Sequence, residues 1–147
     1  MKKLFTLITL MTLAISTAFA QWTAEDNQIP GTKTLVDIHA CSNQVIWGAG
    51  SYQPYAAGVW SNDFCKSTDG GTTWTAGTIA AASGYSMSNI FGLDANTAWA
   101  TMYHATGTGG RVYKTTDGGA SWNQVMLSNF TNANSFPDFI CFKDAQH

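Results

Sequence analysis

The chain has 147 residues and a formal net charge of −2, and only 11% of it is Asp, Glu, Lys or Arg, well below the roughly 25% of ordinary globular proteins. The Lys and Arg residues number 7, are scattered, and include one arginine, Arg111, which excludes the basic face a nucleic-acid-binding protein needs. With 13% aromatic residues for a core and Ser, Thr, Asn, Gln and Gly to wet the surface, the composition fits an exported β protein without long helices.

The first element is a leader. Lys2 and Lys3 form a positive start, Leu4 to Ile15 an apolar run diluted by threonines, and Ala18-Phe19-Ala20 a small-x-small cleavage site, the pattern of a secretory signal peptide over 1–20 with Gln21 as the mature N-terminus. A membrane anchor would need about 20 apolar residues, and this run is shorter. The expected location is secreted, periplasmic or cell surface, with no membrane span after cleavage. Residues 21–147 then form the folded part.

That part repeats. Ile38 to Trp47 lies over Ile90 to Trp99 without a gap at an offset of 52, and Trp22 precedes Ile38 by the same sixteen residues that separate Trp74 from Ile90. Two octets follow at an offset of 48: Ser67-Thr68-Asp69-Gly70-Gly71-Thr72-Thr73-Trp74 and Thr115-Thr116-Asp117-Gly118-Gly119-Ala120-Ser121-Trp122. A period of 40 to 50 residues marks an array of similar units, here 22–73, 74–121 and a third, 122–147. Within the third, Ile140-Cys141-Phe142 matches Ile90 onward at an offset of 50, and the unit is cut short at His147. The expectation is a front part of a longer protein, with Phe139, Ile140 and Phe142 on a strand that has no blade to join.

Each octet has a mechanical meaning. Asp-Gly-Gly between strand-forming runs is a hairpin turn in which the glycines accept positive φ and the carboxylate accepts backbone N–H bonds. The Ser or Thr two residues earlier bonds across the same turn. Trp74 and Trp122, opening the return strands, are expected to be mostly buried anchors.

The octets resemble Asp-boxes, or BNR repeats, which sit between the third and fourth strands of β-propeller blades in sialidases, sortilin-type receptors, xyloglucan hydrolases and photosystem II assembly factors. The resemblance implies an all-β fold of four-stranded antiparallel blades, an incomplete ring of about two and a half. It also implies structural roles for Ser67, Asp69, Gly71, Thr73 and Trp74 and for Thr115, Asp117, Gly119, Ser121 and Trp122. The same box occurs in enzymes and non-enzymes.

Other candidates are few. Gly50 to Gly58 contains Tyr52, Pro54 and Tyr55 in a connection four residues longer than that of the second unit; exposed aromatics there could stack on sugars or anchor a partner, or fold back on the blade. Cys41, Cys65 and Cys141 fall on the repeat positions of Leu93, Tyr113 and Phe91, which suits small core residues; a Cys41–Cys65 disulfide is the alternative in an exported protein. His39, His104 and His147 have no ligand spacing, and the octet aspartates are followed by glycines where a calcium loop needs oxygen ligands. Asn129-Phe130-Thr131 is a formal glycosylation sequon, read as a chance match beside a bacterial-looking leader.

No catalytic, metal or cofactor residues are expected. The function expected is an exported, non-enzymatic propeller scaffold or binding module for protein or carbohydrate at the cell surface, of a kind the resemblance associates with type IX secretion. The alternatives are a glycoside hydrolase of sialidase or xyloglucanase type and a protein like the photosystem II assembly factors. A sialidase would need an arginine cluster, and Arg111 stands alone.

Overall fold

The computed structural model describes residues 33–52, 60–104, 109–126, 130, 132 and 135–144. Among these the alternating apolar segments form two four-stranded antiparallel sheets, each a simple meander. Sheet 1 comprises β1 (Lys33–Ala40), β2 (Ile46–Tyr52), β3 (Asp63–Ser67) and β4 (Thr75–Thr78). Sheet 2 comprises β5 (Tyr85–Gly92), β6 (Ala98–His104), β7 (Gly110–Thr115) and β8 (Asn123–Met126), and a single 3₁₀ turn, Ala80–Ala82, joins the two. With β5 lying against β1 and β2, the sheets pack face to face as consecutive blades of a partial β-propeller. The sheets and the sequence units differ in phase: the second unit opens at Trp74, just before the outer strand of sheet 1, and continues into the first three strands of sheet 2.

The internal repeat extends to fine geometry. The first strand of each sheet carries an irregularity at the same place, between Leu35 and Asp37 in β1 and between Met87 and Asn89 in β5. One extra residue there bends the strand and re-aims the next side chain. Further along, Trp47 pairs across the strands with Lys66, and Trp99 with Lys114. In both pairs the ammonium sits over the indole, 5.0 Å from the ring centroid in sheet 1 and 4.7 Å in sheet 2.

Most of the core lies in the seam between the sheets. Trp47, Ile79, Ile90 and Met102 are fully buried there, with Phe64 and Tyr113 nearly so. Trp47 can lie flat on β5 because position 92 is glycine: a Cβ there would come within 2.2 Å of the indole Cδ1. Its ring meets Trp122 edge-on at 6.1 Å, and its N–H donates to the Asp94 carbonyl at 2.9 Å.

Both octet tryptophans are mostly buried, as expected, but not equally. Trp122 is 8% exposed, wedged edge-on against Phe64 at 5.3 Å as well as against Trp47, whereas Trp74 keeps more of its surface in solvent. The reason is directional: the tryptophan of one sheet inserts against the preceding sheet, and sheet 1 has no preceding sheet among the described residues. Ile38 follows the same rule, 56% exposed while its counterpart Ile90 has no exposed surface.

The third unit departs from expectation. Residues 135–142 join no sheet, yet Ile140 and Phe142 are half-buried rather than orphaned, packing with Phe91, Trp99 and Val112. Phe142 lies 4.4 Å from Trp99, and the Ile140 amide donates to Asn89 Oδ1 at 3.1 Å. Phe139 is 72% exposed, as a strand without a sheet would leave it.

The three cysteines are free thiols. Cys65 is buried on β3, where burial pushes its pKa up to about 12. Cys141 is exposed, and Cys41 sits at the seam against Gly92.

Two predictions follow from this packing. Trp122→Ala should cost about 3 to 5 kcal/mol, as for other buried aromatic truncations, and Trp74→Ala about half as much; equal losses in denaturant melts would contradict the directional seam. In native protein a thiol reagent should label Cys141 within minutes and leave Cys65 unreacted until denaturant is added, because only the thiolate is a nucleophile. Peptide mapping after labelling checks this.

Candidate functional site

The two octets fold alike and share one set of hydrogen bonds. In the first, the Ser67 hydroxyl donates to Asp69 Oδ1 at 2.8 Å and accepts from the amides of Asp69 and Gly71. Asp69 in turn accepts from the Thr73 amide at 2.9 Å and from the Thr73 hydroxyl at 2.6 Å. In the second, Thr115, Asp117, Gly119 and Ser121 repeat every one of these bonds. The glycines have φ of 73° and 93° in one turn and 74° and 94° in the other, a left-handed region that penalises any residue with a Cβ.

Each turn is also tied to the hairpin beside it. Gly70 N–H donates to the Gln44 carbonyl and Gly118 N–H to the Asn96 carbonyl, both at 2.9 Å. The octets therefore brace the connections between the first two strands of their sheets.

This bonding sets the electrostatics. The hydroxyl and amide of Ser121, with help from Thr115, hold the Asp117 carboxyl down to about 2. The same arrangement through Thr73 and Ser67 lowers that of Asp69. Both aspartates are ionised at neutral pH with their oxygens engaged inside their own turns, a poor state for a general acid.

A groove of about 310 Å³ separates sheet 1 from the second octet, lined by Phe64, Lys66, Ala76, Gly77, Asp117 and Gly119. Its cation is already committed. Lys66 Nζ donates to the carbonyls of Gly118 at 2.7 Å and Ala95 at 3.1 Å while resting on Trp47. Burial lowers its pKa, and Asp117 partly opposes that.

The remaining candidates are dispersed. His39 packs on Phe91 with ring centroids 4.2 Å apart, and His104 lies between Trp60 and Tyr85; His147 lies outside the described residues. Tyr52 ends β2; its side chain, and all of Tyr55, lie outside the described residues, as do the leader, Trp22 and the sequon residues Asn129 and Thr131. No group of three or more His, Cys, Asp or Glu side chains that could hold a metal ion occurs among the described residues. No helix among them is long and apolar enough to cross a membrane.

Sequence reasoning missed the residues that join the sheets. Asp37 Oδ2 accepts from the Ile90 amide at 2.8 Å and from Asn89 Nδ2 at 2.7 Å, and Asn89 repeats the backbone part of this towards Ile140. The signal was present: Asp37 and Asn89 stand at the repeat offset of 52, and Lys66 and Lys114 at 48.

No protein-family profile and no curated protein matches the chain. Among solved structures it is similar to one described as "YCF48 bound to D1 peptide", at 26% identity and a TM-score of 0.46. The match covers 69% of this chain and 29% of that one, so the chain spans less than a third of that structure's length. The assignment of blades rests on the sheets themselves.

Protonation of the octets should be felt as acid sensitivity. Both carboxyls bind protons less readily folded than unfolded, where an aspartate has a pKa near 3.9. Their stabilisation is therefore complete above that value and is lost as pH falls toward about 2. Urea midpoints should drop between about pH 5 and pH 2.5, and the Asp69→Asn, Asp117→Asn double variant should be weaker at pH 5 with a shallower drop. Parallel melts of the two proteins check this.

Proposed function

We propose that the chain is part of an exported, non-enzymatic β-propeller that serves as a scaffold or binding module, and that its octets are Asp-boxes acting as structural braces. The observation that carries this reading is the state of the two most enzyme-like residues. Asp69 and Asp117 spend their oxygens on hydroxyls and amides within their own turns, in identical positions on successive sheets. A hydrolytic pair must converge on one substrate, with one carboxyl kept protonated and the other able to reach the bond being broken. Repeated turns on separate sheets do the opposite.

Binding by such a scaffold falls to the connections at the opposite ends of the strands, where the two units differ most in length. A protein or carbohydrate at the cell surface is the partner class that an exported location would present. The leader over 1–20 supports export, through its charge, apolar run and Ala-x-Ala site.

Intact mass measurement on protein expressed in a bacterial host tests the export arm. The expected product begins at Gln21 and appears outside the cytoplasm; a protein retained in the cytoplasm with Met1 to Ala20 attached contradicts it. Release of a chromophore from aryl glycosides, if abolished by Asp69→Asn or Asp117→Asn variants that remain folded, would contradict the non-enzymatic arm.

A further inference from the structure

The chain contains two Asp-Gly pairs, Asp69-Gly70 and Asp117-Gly118, and both stand in the same tetrapeptide, Thr-Asp-Gly-Gly. Among aspartyl bonds, Asp-Gly is the most open to one reaction of the chain with itself, because glycine has no side chain to shield its nitrogen from the carboxyl before it. The Gly nitrogen attacks the Asp Cγ and gives up its proton; the N–Cγ bond forms, a Cγ–O bond breaks, and that oxygen leaves as water. A five-membered succinimide results. Water then opens the ring on either side of the nitrogen, which restores Asp or leaves isoaspartate, with the main chain rerouted through Cγ.

Folded, each octet withholds both reactants. The nitrogens are engaged, Gly70 N–H with the Gln44 carbonyl and Gly118 N–H with the Asn96 carbonyl. The carboxylate oxygens are held by hydroxyls and amides of their own turns, which keep both carboxyls ionised below the usual aspartate range, and a carboxylate is a poor electrophile. Reaction therefore waits on local opening of the turn.

What separates the two octets is how much holds each one shut. The carbonyl that Gly118 bonds lies in a loop braced by the Asp94 carboxylate, which accepts from the Asn96 and Thr97 amides, both at 2.7 Å. The loop of Gln44 is braced by the neutral Ser42 hydroxyl, at 3.1 and 3.0 Å, and bonds to a charged acceptor are the stronger kind. Sheet 1 then clamps the second octet, with Lys66 Nζ donating to the Gly118 and Ala95 carbonyls and the Trp47 indole to that of Asp94. The first octet lies on sheet 1 itself, which has no preceding sheet among the described residues to clamp it, and Trp74 is less buried there than Trp122.

We propose that Asp69-Gly70 is a site of spontaneous isoaspartate formation in the folded protein, and that Asp117-Gly118, the same tetrapeptide clamped by the preceding sheet, is shielded from it. The consequence is local. Isoaspartate lengthens the main chain of the turn and displaces the carboxylate, so the Thr73 amide and hydroxyl lose the acceptor that Asp69 gives them. The hairpin between β3 and β4 then loosens. The site depends neither on export nor on what the protein binds.

The test is to age the full chain at neutral pH and body temperature and to map it over weeks with a protease that cleaves before Asp but not before isoaspartate. Isoaspartate is expected to form at position 69 at least about fivefold faster than at 117, the ratio that ~1 kcal/mol between two opening free energies gives. In guanidinium chloride the two rates should converge, because the tetrapeptide is the same at both positions. Lys66→Met, which keeps the apolar stem and removes both carbonyl bonds, should raise the rate at 117 and leave that at 69 unchanged. Equal rates in the folded chain, a faster rate at 117, an unchanged rate at 117 in folded Lys66→Met, or no isoaspartate at 69 while the denatured chain converts would each overturn the proposal. If Lys66→Met does not fold, the two positions compared in the folded and denatured unaltered chain still decide.

Discussion

The first strand of a blade is an edge strand, and every second amide along it points away from its own sheet with no ladder partner. Asp37 answers that for the next blade: its carboxylate leaves sheet 1 and accepts from the Ile90 amide and the Asn89 side chain in sheet 2. Such bonds to a charged acceptor are roughly twice as strong as neutral ones, and they fix how closely β5 approaches β1. The rest of the seam depends on that approach. Trp47 reaches the Asp94 carbonyl only if β5 is this near, and Gly92 leaves the space for its ring. The bulge just before Asp37 in β1, repeated just before Asn89 in β5, turns these side chains outward.

Placing the polar groups this way divides the molecule. At one end of the strands, hydroxyls, carboxylates and glycines are consumed by the octet turns, and Lys66 is consumed by the seam. At the other end, Trp60, Tyr85, His104 and Arg111 pack on one another.

Much of this was legible in the residues. The spacing of Trp47 and Trp99 and the pair of octets pointed to four-stranded antiparallel blades, because Asp-Gly-Gly between strand-forming runs favours a left-handed hairpin turn. The seam was less legible. Trp74 and Trp122 are the same residue in the same octet, and only the presence or absence of a preceding sheet separates their burial. Asp37 reads as an ordinary polar residue in a strand, since nothing local announces that its acceptor role lies fifty residues away. Among the cysteines, Cys65 was legible from its repeat position, that of Tyr113, and is walled in by Gly48 and the surrounding core, whereas Cys141, on the repeat position of the buried Phe91, is exposed because its segment joins no sheet.

If the Asp37 bridge is what sets one blade on the next, the Ile90 amide must be among the slowest to exchange with solvent, although it sits outside any ladder. Native-state hydrogen exchange on the chain and on Asp37→Ala measures this directly. The account predicts that Ile90 exchanges only on global unfolding, and that in Asp37→Ala it exchanges much faster than its neighbours in β5 and β6 while those remain protected. Exchange of the Ile90 amide in the unaltered chain at the rate of an exposed loop, or unchanged protection in Asp37→Ala, would contradict it.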